Sequence, residues 1–152
     1  MKVIKGDLIK LALEGQFDVI VHGCNCFCTM DSEIAKQIRE TFPEAYRADL
    51  TTVKGDWNKL GTCTYSESSG VFVLNAYTQY YYGKTERHTE YLAVSTCFRK
   101  IKIYMKNGGI YNYRIGYPKI GAGLGGGDWK IIRKIIDEEL DGMDHTLVEY
   151  EP

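Results

Sequence analysis

The run from Phe17 to Gly23 (Phe-Asp-Val-Ile-Val-His-Gly) constrains the fold more than any other part of this 152-residue chain. It has strand length and is almost continuously apolar, so both faces of the strand must be covered. Such strands belong to sheets with helices packed above and below. The rest of the chain agrees. Lys2 to Ile4 reads as a short strand, and Asp7 as the N-cap of a helix from Leu8 to Leu13. Ile34, Ala35, Ile38 and Phe42 share one helical face, and Pro43 either closes that helix or restarts it as a new first turn. Asp56 to Leu60 reads as a loop. Thr62 to Ser66 and Val71 to Tyr77 form a hairpin about Ser68-Ser69-Gly70.

From about Thr85 to Lys106, Val94, Cys97, Ile101, Tyr104 and Met105 recur at helical spacing, and Asn107-Gly108-Gly109 stops the helix. Tyr113 to Tyr117 is a strand, Ile132, Ile135, Ile136 and Leu140 make the inward stripe of a last helix, and Thr146 to Tyr150 is a last strand. Strands interleaved with helices predict an α/β fold with helices on both faces of a central sheet. Ligands then bind at the carboxyl ends of the strands.

The loops at that edge are unusual. Five glycines stand between Gly121 and Gly127, just after Pro118, Lys119 and Ile120. Glycine is costly to order and is kept where backbone must turn at positive φ or approach something closely. Asp128 follows and is placed to cap the next helix, so the loop is read as a phosphate loop running into a helix N-terminus, where free amides and the helix dipole would meet an anion. The plainer alternative is a flexible surface turn. The second loop, His22-Gly23-Cys24-Asn25-Cys26-Phe27-Cys28, admits three readings. Zinc is one, but structural zinc prefers Cys-x(2–4)-Cys pairs and a second ligand pair, and the other cysteines are Cys63 and Cys97. A thiolate with His22 as its base is another. In the third, small residues leave the strand so that a ligand can approach the backbone, with cysteines serving as small buried hydrophobes. The aromatic cluster Tyr80-Tyr81-Tyr82 either packs internally or offers faces on which a base can stack.

Composition limits the partners. At 44% hydrophobic and 26% charged, the chain fits one domain spanning residues 1–152. A net charge of −1 with no long Lys/Arg block argues against long nucleic acid as a partner. An odd number of cysteines and no apolar leader or membrane-spanning segment lead us to expect free thiols, a reducing cytoplasmic setting and no membrane partner. A monomer is expected.

Three motifs in order, Gly6-Asp7, His22-Gly23-Cys24-Asn25-Cys26, and Pro118-Lys119-Ile120-Gly121-Ala122-Gly123 through Trp129, give a chain that resembles the macrodomains. The pattern is nearest the branch of ADP-ribose 1″-phosphate phosphatases and terminal ADP-ribose glycohydrolases. The resemblance covers nearly the whole chain. It implies a three-layer α/β/α sandwich around a mixed six-stranded sheet, with ADP-ribose, ADP-ribose 1″-phosphate or an ADP-ribosylated protein as partner, and no cofactor or metal. It further implies that Asp7 accepts from the adenine amine while Leu8 and Tyr80 pack on the ring. Backbone from Pro118 and Ile120 through Gly121, Ala122, Gly123, Leu124, Gly125 and Gly126 would hold the diphosphate. Asn25, Met30, Ile34 and Gln79 would surround the distal ribose, with His22 or Asn25 positioning a water.

Two departures stand out. Asp31-Ser32-Glu33 replaces glycines usual in the family, and carboxylates beside a diphosphate would repel it unless they face away or hold a water. Asp31 or Ser32 would instead cap the helix starting near Glu33. The glycohydrolases' lysine after the fourth strand is also missing, with none before Lys84, and Gly125 stands where their aspartate would fall. These features leave two functions in view, hydrolysis at the distal ribose and recognition without turnover. A dinucleotide oxidoreductase is excluded by position, because its fingerprint belongs in the first βα turn.

Overall fold

A computed structural model describes residues 1–152 except Ser32, Lys84, Thr85 and Tyr111, and except the side chain of Glu33. The elements are β1 (Lys2–Gly6), α1 (Leu8–Leu13), β2 (Val19–Cys24), α2 (Glu33–Thr41), α3 (Pro43–Leu50), β3 (Cys63–Ser68), β4 (Val71–Tyr77), α4 (Tyr91–Asn107), β5 (Ile115–Tyr117), α5 (Trp129–Glu139) and β6 (His145–Tyr150). One mixed sheet of six strands has the order β1-β6-β5-β2-β4-β3. All neighbours run parallel except the β3–β4 hairpin. The carboxyl ends of β1, β6, β5, β2 and β4 therefore share one edge.

The apolar run works as its composition demands. Val19 and Val21 of β2 face α4 and α5, meeting Val94, Phe98, Ile101, Ile132 and Ile136. Ile20 faces the other way, into Leu8, Ile9, Ala12, Ile38, Phe42 and Ala45 of α1, α2 and α3. Leu74 and Ala76 of β4 join the first layer and Val71 and Val73 the second, as the two-residue period of a strand requires. This is the three-layer sandwich.

Several boundaries shift. The Phe17 ring lies outside β2 and covers Gly116, whose missing Cβ would otherwise sit 2.8 Å from it. A 3-10 turn, Trp57–Lys59, replaces part of the expected loop, with Asp56 accepting from the Asn58 amide. Pro43 starts α3 as a first-turn proline. Tyr104 is not an inward residue: it is partly exposed and stacks on Tyr65 with centroids 4.2 Å apart. The helix expected from about Thr85 starts later, at Tyr91, because Thr89 pairs with Gln79 in an isolated bridge and Glu90 stands at the N-cap; Thr85 itself, the cap at Ser32 and the side chain of Lys84 lie outside the described residues. Among the described residues, no helix is long and apolar enough to cross a membrane.

Candidate functional site

Three adjoining cavities lie along the carboxyl edge. The distal one, about 310 Å³, is bounded by Asn25, Thr29, Met30, Asp31, Asp49 and Leu124, among others. The middle one, about 440 Å³, runs along Pro118, Lys119, Ile120, Gly121, Ala122 and Gly123. The third, about 420 Å³, lies between Asp7, Leu8 and Tyr150. Gly23, Ile34, Gln79 and Gly125 border both the first and the second, and Ile34, Pro118, Val148 and Tyr150 border both the second and the third. The cavities are thus one trough. Another depression, on the outer face of α5, is lined by alternating charges such as Lys130, Asp137 and Glu138 and lies apart from the sheet edge.

The middle of the trough is built from glycine because nothing larger fits. A Cβ on Gly23 would sit 2.8 Å from Thr78 Oγ1 and 3.1 Å from Ile120 Cγ2. One on Gly125 would run into Thr89 Oγ1 and stand 2.9 Å from both Gln79 Oε1 and the Gly121 carbonyl oxygen. Gly121 also needs φ = 74°. Thr89, fully buried, braces this loop: its hydroxyl donates to Gly121 O at 2.9 Å and its amide to Gly125 O at 3.0 Å. Among the described residues, the amides of Gly121, Gly123 and Gly125 donate to no protein acceptor. Three such donors at alternate residues along the middle cavity form an amide nest suited to an anion.

The first turn of α5 contributes no residue to that nest. The loop closes on itself through Gly127 N to Gly121 O at 2.7 Å before α5 begins. Asp128 then caps α5 by accepting from Lys130 N at 2.9 Å, while its own amide donates to Tyr91 Oη. No residue of α5 borders the trough. Gly126 also drops out of the predicted set, since it packs against Glu86 and Arg87.

At the third cavity, Asp7 Oδ1 caps α1, accepting from Ile9 N at 3.0 Å and Lys10 N at 3.1 Å. Its Oδ2 accepts nothing among the described residues. The aromatic beside Asp7 and Leu8 is Tyr150, not Tyr80. Tyr80 stacks on Trp57 with centroids 3.3 Å apart and donates its hydroxyl to Gly55 O at 2.8 Å, well away from Asp7. Of the two readings of the tyrosine cluster, internal packing holds for Tyr80, which meets Phe27 edge-on.

At the distal end, Asn25 borders the cavity but uses its amide to fold its own loop: Nδ2 donates to Thr29 Oγ1 at 2.6 Å and Oδ1 accepts from Phe27 N at 2.7 Å. Asp31 turns toward α2, where Arg39 donates to it at 2.8 Å, which answers the expected repulsion. His22 is fully buried and does not border the trough. Its Nε2–H donates to Asn75 Oδ1 at 2.6 Å, and Asn75 Nδ2 in turn donates to Ala45 O and Thr64 Oγ1. Burial pulls the His22 pKa from 6.5 down to about 4, with the Asn75 bond opposing. The predicted water-activating histidine is therefore a neutral core residue.

The thiol readings end similarly. Cys24 lies 3.5 Å from His22 Nε2, but burial holds the thiol well above its ordinary range, so neither partner ionises the other. Cys26 donates toward Gln79 O and Cys28 toward Asp49 O, so the three thiols of the loop do not converge. Sequence reasoning missed Tyr150, Thr89 and Asp49, each of which needs tertiary placement to be recognised.

A parallel sheet edge that presents unpaired glycine amides between two further pockets defines an α/β protein with an extended cleft suited to an anion at its middle. The Macro domain profile matches residues 21–136, and the chain belongs to that family. Along its whole length it is similar to a 17.5 kDa protein from the tk-vs intergenic region of Enterobacteria phage T4, at 37% identity over 157 residues covering 100% of this chain and 97% of the relative. Its fold is similar to the macrodomain of Thermus aquaticus DarG (20% identity, TM-score 0.75, 99% of this chain and 97% of that chain). It is also similar to Thermosipho africanus DarTG in complex with ADP-ribose (17% identity, TM-score 0.75, 99% of this chain and 41% of that chain).

Proposed function

We propose that the trough binds ADP-ribose along the sheet edge and that the chain hydrolyses a bond at C1″ of the distal ribose. Adenine lies between Leu8 and Tyr150 with Asp7 accepting from its amine, the diphosphate rests on the amides of Gly121, Gly123 and Gly125, and the distal ribose enters the pocket of Asn25 and Met30. The observation that carries this reading is the continuity of three pockets with the amide nest in the middle. It matches a ligand whose charge lies between two sugars. The family and the ADP-ribose complex of its structural relative support it.

The distal pocket favours one kind of leaving group. Its lining includes Asp31, which is paired with Arg39, and Asp49, but, among the described residues, no Lys, Arg or His. A 1″-phosphate dianion would find no cationic partner in that lining, whereas an uncharged linkage such as an acyl ester to a protein carboxylate needs none. The reading shifts accordingly, from a 1″-phosphate toward removal of ADP-ribose from a carrier. Calorimetry with ADP-ribose, ADP, AMP and NAD tests binding, and release of ADP-ribose from an ADP-ribosyl-glutamate peptide, against phosphate release from ADP-ribose 1″-phosphate, tests the chemistry. Failure to bind ADP-ribose overturns the reading altogether. Binding with no release from either substrate leaves a recognition module, which the burial of His22 and the internal pairing of Asn25 would then explain.

A further inference from the structure

Asp49 has so far counted only as part of the lining, yet among the described residues it is the one acidic residue that is both buried and borders the distal pocket. It sits in the last turn of α3 and is 1% exposed. Only one of its oxygens is paired: Tyr77 donates to Oδ1 at 2.7 Å, and Oδ2 accepts nothing among the described residues. A carboxyl group placed there merely to hold the fold would be costly, because a buried charge needs a full set of partners. Resting on the hydrolysis reading, we infer that Asp49 is the general base of this site, taking a proton from the water that attacks C1″.

The surroundings suit a base. Burial holds the Asp49 carboxyl above its ordinary range, while the Tyr77 hydroxyl and the Lys59 ammonium pull it back. A carboxylate tuned upward in this way is a better proton acceptor near neutrality. The groups that face it are Tyr77 from β4, Lys59 from the 3-10 turn, Cys24 and Cys26 from β2 and its exit, and Cys28, whose thiol donates to the Asp49 carbonyl at 3.4 Å. Asp31 borders the same cavity. Lys59 is itself fixed: it donates to Cys26 O at 3.0 Å and lies over the Tyr77 ring at 4.8 Å. In the step, the water oxygen bonds to C1″ and its proton passes to Asp49 Oδ2. The C1″–O bond to the acyl group breaks with its electron pair leaving on the carboxylate. Asp49 then releases the proton to solvent, giving ADP-ribose and a free acid.

The test compares the parent chain with Asp49→Asn and Tyr77→Phe, using an ADP-ribosyl-glutamate peptide for turnover and ADP-ribose calorimetry for the integrity of the site. Asp49→Asn keeps an oxygen to accept from Tyr77. It is expected to lower kcat about 100-fold or more while KM and ADP-ribose affinity stay within about threefold. The acidic limb of the kcat–pH profile should vanish. Tyr77→Phe should move that limb to higher pH, because the hydrogen bond that favours the ionised carboxyl is gone. An Asp49→Asn chain that keeps kcat within about threefold, or that loses ADP-ribose affinity along with kcat, overturns the assignment. So does a limb unmoved in Tyr77→Phe. A parent that binds ADP-ribose but releases nothing overturns the hydrolysis reading and Asp49 together, whereas an active parent with an equally active Asp49→Asn overturns Asp49 alone.

Discussion

Gly6 of β1 and Tyr150 of β6 are register partners in a parallel pair, so the last residues of the chain stand beside the first loop. That pairing, with Asp7 one residue further on, builds the end of the trough where adenine is proposed to bind. Tyr150 is 69% exposed and carries little of the fold. Tyr150→Ala is expected to weaken ADP-ribose about tenfold, the worth of one base-stacking contact, and to leave the melting temperature unchanged. AMP should lose affinity by the same factor. Calorimetry with both ligands checks this, and loss for ADP-ribose alone would place adenine elsewhere.

The amide nest depends on Gly125 having no side chain. Gly125→Ala drives a methyl group into Thr89 Oγ1 and the Gly121 carbonyl, both of which shape the loop. The expected cost is about 1–3 kcal/mol of stability from overpacking. ADP-ribose and ADP affinity should fall together, because both carry the diphosphate. Thermal melts and calorimetry on one preparation decide it: a stable variant that binds both nucleotides as the parent does would remove the nest from the site.

Tyr80 offers the converse case. Its ring is stacked on Trp57 and its hydroxyl closes a bond to Gly55. Tyr80→Phe should lose about 1 kcal/mol of stability, the net value of one hydrogen bond, with ADP-ribose affinity unaltered. A urea titration beside a binding isotherm measures both.

His22 makes stability depend on pH. Its folded pKa, about 4, lies below the unfolded 6.5, so the unfolded chain binds more protons between those values. Its contribution is therefore fully present above pH 6.5 and is lost as pH falls toward 4, on the order of 3 kcal/mol in all. Burial lowers His145 too, which adds slope of the same sign, while the raised Asp49 opposes it. Denaturation midpoints should fall between pH 7 and 5, and His22→Gln should show a shallower fall. An unchanged slope in that variant would mean that His22 is not neutral in the core.

Much of the fold was legible because burial on two faces leaves its mark on composition. The run containing Val19, Ile20 and Val21 could only be a strand covered above and below, and Val71–Tyr77 has the same character. Asp7, Pro43 and Asp128 announced helix starts through local chemistry that needs no tertiary context. The glycine loop was legible as a cradle for the same reason. What could not be read were relationships across the sheet. Tyr80 and Tyr150 both stand near the carboxyl end of a strand, and only the strand order, with β6 beside β1 and β4 beside β3, sends Tyr150 to the cavity of Asp7 and Leu8 and Tyr80 to Trp57. The loop does not run straight into the helix N-terminus as expected, because a single backbone bond, Gly127 to Gly121, folds it shut ahead of α5. Asp49 carries no signal in the sequence, since its place is set by Tyr77 from another element.

The hairpin between β3 and β4 turns at Ser69 and Gly70, at the amino end of β4 and so at the pole opposite the trough. Nothing lies within 4 Å of where a Gly70 side chain would begin. A reporter peptide or surface tether spliced between these two residues would ride on the molecule's blind side, leaving the nucleotide mouth pointing outward for immobilised binding measurements.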